Sequence, residues 1–288
     1  MVIDLSGRTK FRVTGTDRLR YFNGQLTNDL RELAPGAALY ACALTPKGKL
    51  AGDLYIAADT ESFWIDAPST LRESLLSRLE RYIIADDVSI IDKTDDYRLL
   101  HFLNENPPEV QESIQSESNR FDAEGVDVLL PITSINQLLT HLKLLGSDEI
   151  ERLRIERGIP AWGAELSEEI LPAEAGLDET AISFTKGCYL GQEVISRIKS
   201  VGHVNRHLRG IRWVSGPSLN TGDQLFSVDN LDKAIGVITS VASGKPLIAL
   251  GYVRRGFDEP GKLLKVKASN NCDLIGSIEI TSLPFRSV

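Results

Sequence analysis

The sequence predicts an α+β fold followed by an all-β C-terminal domain. In several segments before residue 200, apolar residues recur at helical spacing. The runs "ALYACAL" and "LAGDLYIAA" flank "TPKGK", a Pro- and Gly-containing turn typical of a β-hairpin. After residue 204, short β-rich runs alternate with Gly, Asn, Pro and Ser at roughly ten-residue spacing, which is typical of a small antiparallel barrel or sandwich.

The first part of the chain contains two predicted helices. "TDRLRYFNGQLTNDL" has Thr16 or Asp17 as its cap, with its leucines and Phe22 on one face. "FWIDA" is a short strand, and a helix follows it. Thr70 and Glu73 form a potential capping box for this second helix.

The middle of the chain is more varied. Residues 104–125 are polar and contain Pro, so we predict an exposed connection without chemistry. "SINQLLTHLKLLG", "SDEIERLRIERG" and "QEVISRIK" are predicted helices, the second ended by Gly158. Six β-rich runs follow: "HLRGIRWV", "DQLFSV", "AIGVITSV", "LIALGYV", "LLKVKA" and "IGSIEITSL".

Composition limits the class of protein. The 288 residues are 42% apolar and 25% charged, as in ordinary globular proteins. The net charge of −8 argues against a broad nucleic-acid or membrane surface. No apolar run approaches the ~20 residues of a membrane span, and the N-terminus has no apolar signal segment. Three dispersed cysteines indicate free thiols in a reducing cytoplasm.

The stretch "KGCYLGQE" carries the most specific candidate chemistry. Gly187 and Gly191 allow tight backbone geometry around Cys188, and a helix begins just after Gly191. A helix start, Lys186 and Arg197 could favour the thiolate, the reactive form of cysteine. The alternative is that Cys188 is a small buried hydrophobe in a tight turn.

Other chemistry is weakly supported. Cys188, His203 and His207 could be gathered around a metal, but no Cys-x-x-Cys occurs and we predict no metal site. Cys42, in an apolar strand, and Cys272, in a polar turn, have no evident partner. The chain contains neither a phosphate loop nor a Gly-x-Ser-x-Gly elbow, so dinucleotide binding and nucleotide hydrolysis are weak interpretations.

Glu156 in "LRIERGIP" is a second candidate. A carboxylate accepts two parallel N–H bonds from an amidine-like edge, such as that of a pterin or guanine. The alternative is a solvated salt-bridge partner on a charged helix. Trp64 and Tyr189 are likewise either stacking platforms or packing residues.

In combination, these motifs resemble a known family. Residues 186–193 with Arg197 are similar to the signature of the YgfZ family of folate-binding proteins, which is related to the glycine-cleavage T-protein, an aminomethyltransferase. "FNGQLTNDL", "LTPKGKL", "RIERGIPAWGAEL" and "LPAEAGLDETAISF" resemble the same family in the same order. The resemblance covers most of the chain.

The resemblance implies both a fold and a function. Two interleaved α+β modules should form residues 1–204, followed by a barrel at 205–288, around a central cavity for tetrahydrofolate or a one-carbon derivative. The implied function is folate-dependent support for the assembly or repair of iron–sulfur enzymes, including ones that modify tRNA. Those enzymes would be the protein partners.

The same resemblance assigns roles to residues. Cys188 is the implied functional thiol, and Glu156 binds the pterin, with Trp64 and Tyr189 as further folate contacts. The residues that support the turn are Lys186, Gly187, Gly191, Gln192, Glu193 and Arg197.

One departure keeps a second function open. Aminomethyltransferases carry an Asn-Ala…Lys-Asp pattern after a strand, and its Asp lies against the folate. Here Asp66-Ala67 and Arg72-Glu73 stand at the similar place. A Glu could imitate the Asp only if its longer arm fitted the cavity. Aminomethyl transfer is therefore the alternative function, whether the protein is an enzyme stays open, and a folate-free scaffold is the third class.

Overall fold

The computed structural model describes residues 1–134, 142–216, 218–269 and 273–285. The chain divides into two compact units, and each unit is built from two segments. The first comprises Met1–Leu145 and Leu177–Arg197, and the second comprises Gly146–Gly176 and Ile198–Val288. The predicted domain boundary between residues 204 and 205 stays a prediction.

A five-stranded antiparallel sheet forms the larger part of the first unit. Its order is β3-β4-β5-β2-β6. The strands are β2 (Thr9–Thr14), β3 (Ala38–Leu44), β4 (Leu50–Ala58), β5 (Phe63–Ala67) and β6 (Ser89–Asp92). The predicted hairpin is β3 and β4, which pair directly, and every residue of β5 is buried.

A second sheet in the first unit has four strands in the order β1-β7-β9-β8. They are β1 (Val2–Asp4), β7 (Tyr97–Leu103), β8 (Ile114–Ser118) and β9 (Gly125–Pro131). The prediction that 104–125 is only an exposed connection is therefore wrong, because β8 lies inside it. The sequence of β8 lacks the apolar–polar alternation typical of a strand, because its inward-facing, buried residues are Ser116 and Ser118.

Helix α1 (Arg18–Gln25) is shorter than predicted. Asp17 occupies its N-cap position, but the carboxylate accepts a bond from the backbone N–H of Asp87 (2.9 Å) instead of capping the helix. Leu26 is already extended, and a 3-10 helix at Leu30–Glu32 follows. Long-range pairing of Asp17 thus replaces the local cap that the sequence indicated.

Helix α2 (Arg72–Glu80) also starts differently from the prediction. Thr70 lies in a preceding 3-10 helix, Ser69–Leu71, and no side chain caps α2, so the predicted Thr70–Glu73 capping box is wrong. The apolar face of α2 is formed by Leu75 and Leu79, which are fully buried. The predicted helix at 134–146 falls largely outside the described residues.

The second unit contains α3 (Ser147–Glu156) and a closed antiparallel barrel. As predicted, α3 stops just before Gly158, whose φ of 70° suits glycine. The barrel confirms all six predicted runs: β10 (Arg206–Ser215), β11 (Gln224–Ser227), β12 (Asn230–Val241), β13 (Ile248–Arg254), β14 (Leu263–Lys267) and β15 (Leu274–Thr281). Closure leaves no unpaired strand edge, and alternate apolar residues fill the interior.

The helix predicted after Gly191 is α4 (Gln192–Ser200). Within the described ranges, no helix combines the length and apolar character needed to cross a bilayer.

A buried ion network connects the two sheets of the first unit. Arg120 donates to Asp127 on β9 (2.7 and 2.8 Å) and also to both carboxylate oxygens of Asp66 on β5. Arg8 donates to Asp66 as well, and His101 Nδ1 lies 2.9 Å from Asp127. Burial raises the pKa of Asp127, but the Arg120 charge and the hydrogen bonds from His101 and Arg120 together outweigh burial and hold this pKa at about 2.

We expect this network to carry much of the first unit's stability. Asp127→Asn leaves the buried Arg120 charge half compensated, and it should lower the free energy of unfolding by about 3–5 kcal/mol. Asp95→Asn breaks an exposed pair with Arg72 and should cost about 0–1 kcal/mol. Urea unfolding at neutral pH measures both variants, and equal costs would contradict the expectation.

The Asp127 pKa also predicts a pH dependence. A carboxyl whose pKa is lower folded than unfolded stabilises the protein above its unfolded pKa, and that stabilisation is lost as the pH falls through its folded pKa. Between about pH 4 and pH 2, Asp127 should therefore account for a loss of about 2 kcal/mol. Asp127→Asn should flatten the unfolding profile in this window, whereas Asp95→Asn should leave it steep.

Candidate functional site

Cys188 lies exposed on the loop before α4, within the first unit. Gly191 makes this loop possible: its φ is 86°, and a Cβ there would lie 2.7 Å from the carbonyl oxygen of Thr45 and 3.0 Å from Cβ of Leu44. Gly187 has open space where a Cβ would be. The backbone geometry that requires glycine, predicted around Cys188, is therefore observed at Gly191.

Lys186 fixes the start of the same loop. Its side chain is buried, and Nζ donates to the carbonyl oxygens of Asn23 (2.7 Å), Leu26 (2.8 Å) and Asn28 (2.6 Å). Those carbonyls belong to the end of α1 and the turn that follows it. Burial lowers the pKa of Lys186 to about 8, although nearby Asp29 opposes that shift. The ammonium is thus committed to the backbone rather than displayed to solvent.

Tyr189 lies below the loop surface. It is buried, with the Lys186 ammonium 5.3 Å from its ring centroid, and burial raises its pKa to about 12. The loop therefore points Cys188 outward and Tyr189 inward. At the start of α4, Glu193 and Arg197 are exposed and Gln192 is half-buried.

Cys42 contrasts with Cys188. It is fully buried in β3, its backbone N–H donates to Thr27 Oγ1 (2.8 Å), and burial raises the pKa of its thiol. A buried neutral thiol behaves as a small hydrophobe. The sequence left open that Cys188 is such a buried packing residue, but this description fits Cys42 instead. Cys272 lies outside the described residues.

Glu156 is the last residue of α3, in the second unit. Its carboxylate is 40% exposed, and Oε1 lies 2.8 Å from Arg152 Nε one turn earlier. Its backbone carbonyl accepts from the N–H of Phe285 (2.9 Å), which brings an aromatic residue beside the helix end. The sequence did not single out Phe285, because it lies more than a hundred residues away in a short polar tail. The second carboxylate oxygen has no protein partner among the described residues and can accept a ligand bond.

Trp64 is buried on β5. Its Nε1 donates to Asp59 (3.1 Å), and its ring centroid lies 4.8 Å from that of Tyr97. It borders a cavity of about 30 Å³ with the ion-network residues Asp66, Arg120 and Asp127. That volume accommodates about one water molecule and is far too small for a folate. A folate contact by Trp64 stays a prediction.

The segment that departs from the aminomethyltransferase pattern has a defined geometry. Asp66 is held by Arg8 and Arg120, as described above. Arg72 is held by Asp92 (2.6 Å) and Asp95 (2.7 Å), and Glu73 is exposed. Asp66 and Arg72, which stand where the aminomethyltransferase pattern has Asn and Lys, are therefore both engaged in ion pairs.

The candidate metal ligands have other partners or surroundings. His207 Nδ1 lies 2.7 Å from Asp258, and His203 is exposed. Across the parts of the chain that the structure describes, no three His, Cys, Asp or Glu side chains are grouped to hold a metal ion.

Known proteins resemble this chain in both sequence and fold. Residues 1–118 match the family model described as the GCVT N-terminal domain. The tRNA-modifying protein YgfZ of Escherichia fergusonii is 26% identical over 95% of this chain and 89% of its own length. The putative transferase At1g60990, chloroplastic, of Arabidopsis thaliana is 26% identical over 88% of this chain and 65% of its own length.

A solved structure shares the fold. The glycine cleavage system aminomethyltransferase T of Bartonella henselae superposes with a TM-score of 0.86 over 99% of this chain and 86% of its own, at 19% sequence identity. At that identity, the likeness shows the fold alone.

The Lys186 contacts yield a testable expectation. Lys186→Met keeps the length of the side chain but leaves three carbonyls without their donor, so the free energy of unfolding should fall by on the order of 2–4 kcal/mol. Amide exchange at residues 186–192 should also become faster, because the loop loses its anchor. The exposed Lys47→Met is the matched control and should change stability by less than about 0.5 kcal/mol. Similar results for both variants would refute the anchoring role.

Proposed function

We propose, on the premise that this chain belongs to the YgfZ family and is related to the aminomethyltransferases, that it binds a tetrahydrofolate and supports iron–sulfur enzymes. The clients would include enzymes that modify tRNA, in keeping with the name of its bacterial relatives. It would act in the cytoplasm through protein partners, without itself binding nucleic acid or membrane.

The exposed position of Cys188 is the observation that carries this proposal. A thiol must be reachable to meet a cluster, a persulfide or another protein, and the thiolate is the form that reacts or binds metal. The loop keeps Cys188 exposed while Lys186 and Gly191 hold its backbone from beneath. Rigid presentation of a reactive side chain is what a functional site requires.

Glu156 supports the folate part of the proposal. A half-exposed carboxylate at the end of a fixed helix, with one oxygen free of partners among the described residues, fits an acceptor for the N–H edge of a pterin. Bound tetrahydrofolate would supply one-carbon chemistry. The protein's part would be to bind and orient it through Glu156, with Tyr189 and Trp64 as further proposed contacts.

Aminomethyl transfer is the second candidate, favoured by the shared fold with aminomethyltransferase T. Against it, Glu73 is exposed and Asp66 is committed to two arginines, so this segment offers no free buried carboxylate. Multiple turnovers of tetrahydrofolate with an aminomethyl donor would support this second function over the first.

Glu156→Gln tests folate binding. The substitution keeps the size of the side chain but replaces one acceptor with a donor, so tetrahydrofolate affinity should fall by about 1–3 kcal/mol. Calorimetry of the purified protein measures the change. Glu168→Gln, an exposed substitution in the same unit, should leave affinity unchanged. If Glu156→Gln binds as tightly as this control, Glu156 is not in the site.

Cys188→Ser tests the thiol. In a Cys272→Ser background, alkylation of the folded protein should label Cys188 and spare the buried Cys42 until the protein unfolds. Cys188→Ser should leave the free energy of unfolding within about 0.5 kcal/mol of the parent, because the side chain is exposed.

The functional readout of that variant is complementation of a deletion strain. Iron–sulfur enzyme activity should fall sharply with Cys188→Ser and persist with Cys42→Ala at equal protein level. Full complementation by Cys188→Ser would reduce Cys188 to a loop residue without chemistry.

A further inference from the structure

A wide groove opens on the barrel of the second unit. It encloses about 1390 Å³. Its basic lining residues are His203, Arg206, His207, Lys233, Arg254 and Arg255. Ala234 and Val237 of β12 also line it and add apolar surface. None of these residues has a role in the function proposed above.

Two arginines of this groove stand directly opposite each other. Arg206 on β10 pairs in register with Arg254 on β13. Like charges directly opposite on neighbouring antiparallel strands destabilise the pair. Arg206 is partly compensated, since its Nε lies 3.1 Å from Glu174 and its guanidinium lies 4.7 Å from the ring centroid of Tyr252. Arg254 has no such compensation among the described residues.

The remaining charges of the groove are unevenly satisfied. Arg254, Arg255 and Lys233 are exposed, and their side chains make no hydrogen bond or ion pair within the described parts of the chain. Of the three lining carboxylates, Glu174 pairs with Arg206 and Asp258 pairs with His207 and Arg209. Glu259 makes no such pair within the same described parts. A concentration of unpaired cations is unexpected in a chain with a net charge of −8.

His207 adds an oriented ring nitrogen to this lining. The Asp258 carboxylate, which lies 2.7 Å from Nδ1, also accepts from Arg209 (3.0 Å) and from the backbone N–H of Gly256 (2.9 Å). These bonds keep Asp258 occupied and fix the imidazole, so Nε2 is the nitrogen left for a ligand.

We propose that this groove binds a small phosphate-bearing molecule of the nucleoside diphosphate class. Each guanidinium presents five N–H donors in a planar fork, and the lining arginines together offer more donors than one carboxylate can accept. A diphosphate carries enough charge and acceptor oxygens to bridge Arg206, Arg254 and Arg255. The apolar surface of β12 then packs against the uncharged part of the ligand. A longer polynucleotide fits less well, because the described groove residues display no Phe, Tyr or Trp ring for base stacking: Tyr252 is buried.

The test uses inorganic pyrophosphate and adenosine diphosphate as probes, titrated by calorimetry against the full chain. Saturable binding of both is expected. Arg254→Gln/Arg255→Gln should weaken it by about tenfold or more, because two charge-assisted donors are lost. The control Lys47→Gln/Lys245→Gln removes the same charge from exposed sites outside the groove and should change affinity by less than about twofold. All four positions are exposed, so neither variant should lower the temperature of thermal unfolding.

Three outcomes would overturn the proposal: no saturable binding at millimolar probe, equal weakening by the control, or binding of single-stranded RNA without binding of either small probe. Tetrahydrofolate affinity, measured on the same variants, should be unaffected by Arg254→Gln/Arg255→Gln. Failure of the groove is therefore distinguishable from failure of the folate proposal.

Discussion

The loop that carries Cys188 depends on one buried ammonium group. Lys186 brings its charge out of water, and this desolvation is tolerated because three backbone carbonyls receive it. Those carbonyls lie at a helix end and its following turn, where they lack intrahelical partners and would themselves need donors. The contact satisfies both sides at once, and it ties the Cys188 loop to a segment about 160 residues earlier in the chain.

The first unit uses the same principle a second time. Arg120 is buried between Asp66 of one sheet and Asp127 of the other, so a single guanidinium joins the two sheets. Its planar fork satisfies both carboxylates together, which an ammonium could not do with the same geometry. Each buried cation in this unit is thus held by several acceptors and is unavailable to solvent. The Cys188 thiol, which we propose as the reactive group of the loop, is exposed instead.

The barrel treats its arginines differently. Arg254 and Arg255 stand at the end of a strand and are exposed, whereas Lys186 and Arg120 of the first unit are buried and fully paired. Paired buried ions rigidify a fold, while unpaired exposed cations in a concave surface attract anions. Lys186 and Arg120 therefore serve the architecture of the first unit, whereas Arg254 and Arg255, as we propose, serve recognition.

Hydrophobic periodicity by itself determined the hairpin, helices α3 and α4, and all six barrel strands, because those segments bury regular apolar faces. Sequence motifs likewise singled out Cys188, Lys186 and Gly191. Tertiary structure alone decided the rest. Strand β8 has a polar sequence and forms through its pairing with β9. The Asp17 carboxylate accepts a hydrogen bond from the backbone N–H of Asp87 instead of capping α1. The contacts of Arg120 and the pairing of Arg206 with Arg254 join residues that are far apart in the sequence. A local sequence pattern does not identify such partners.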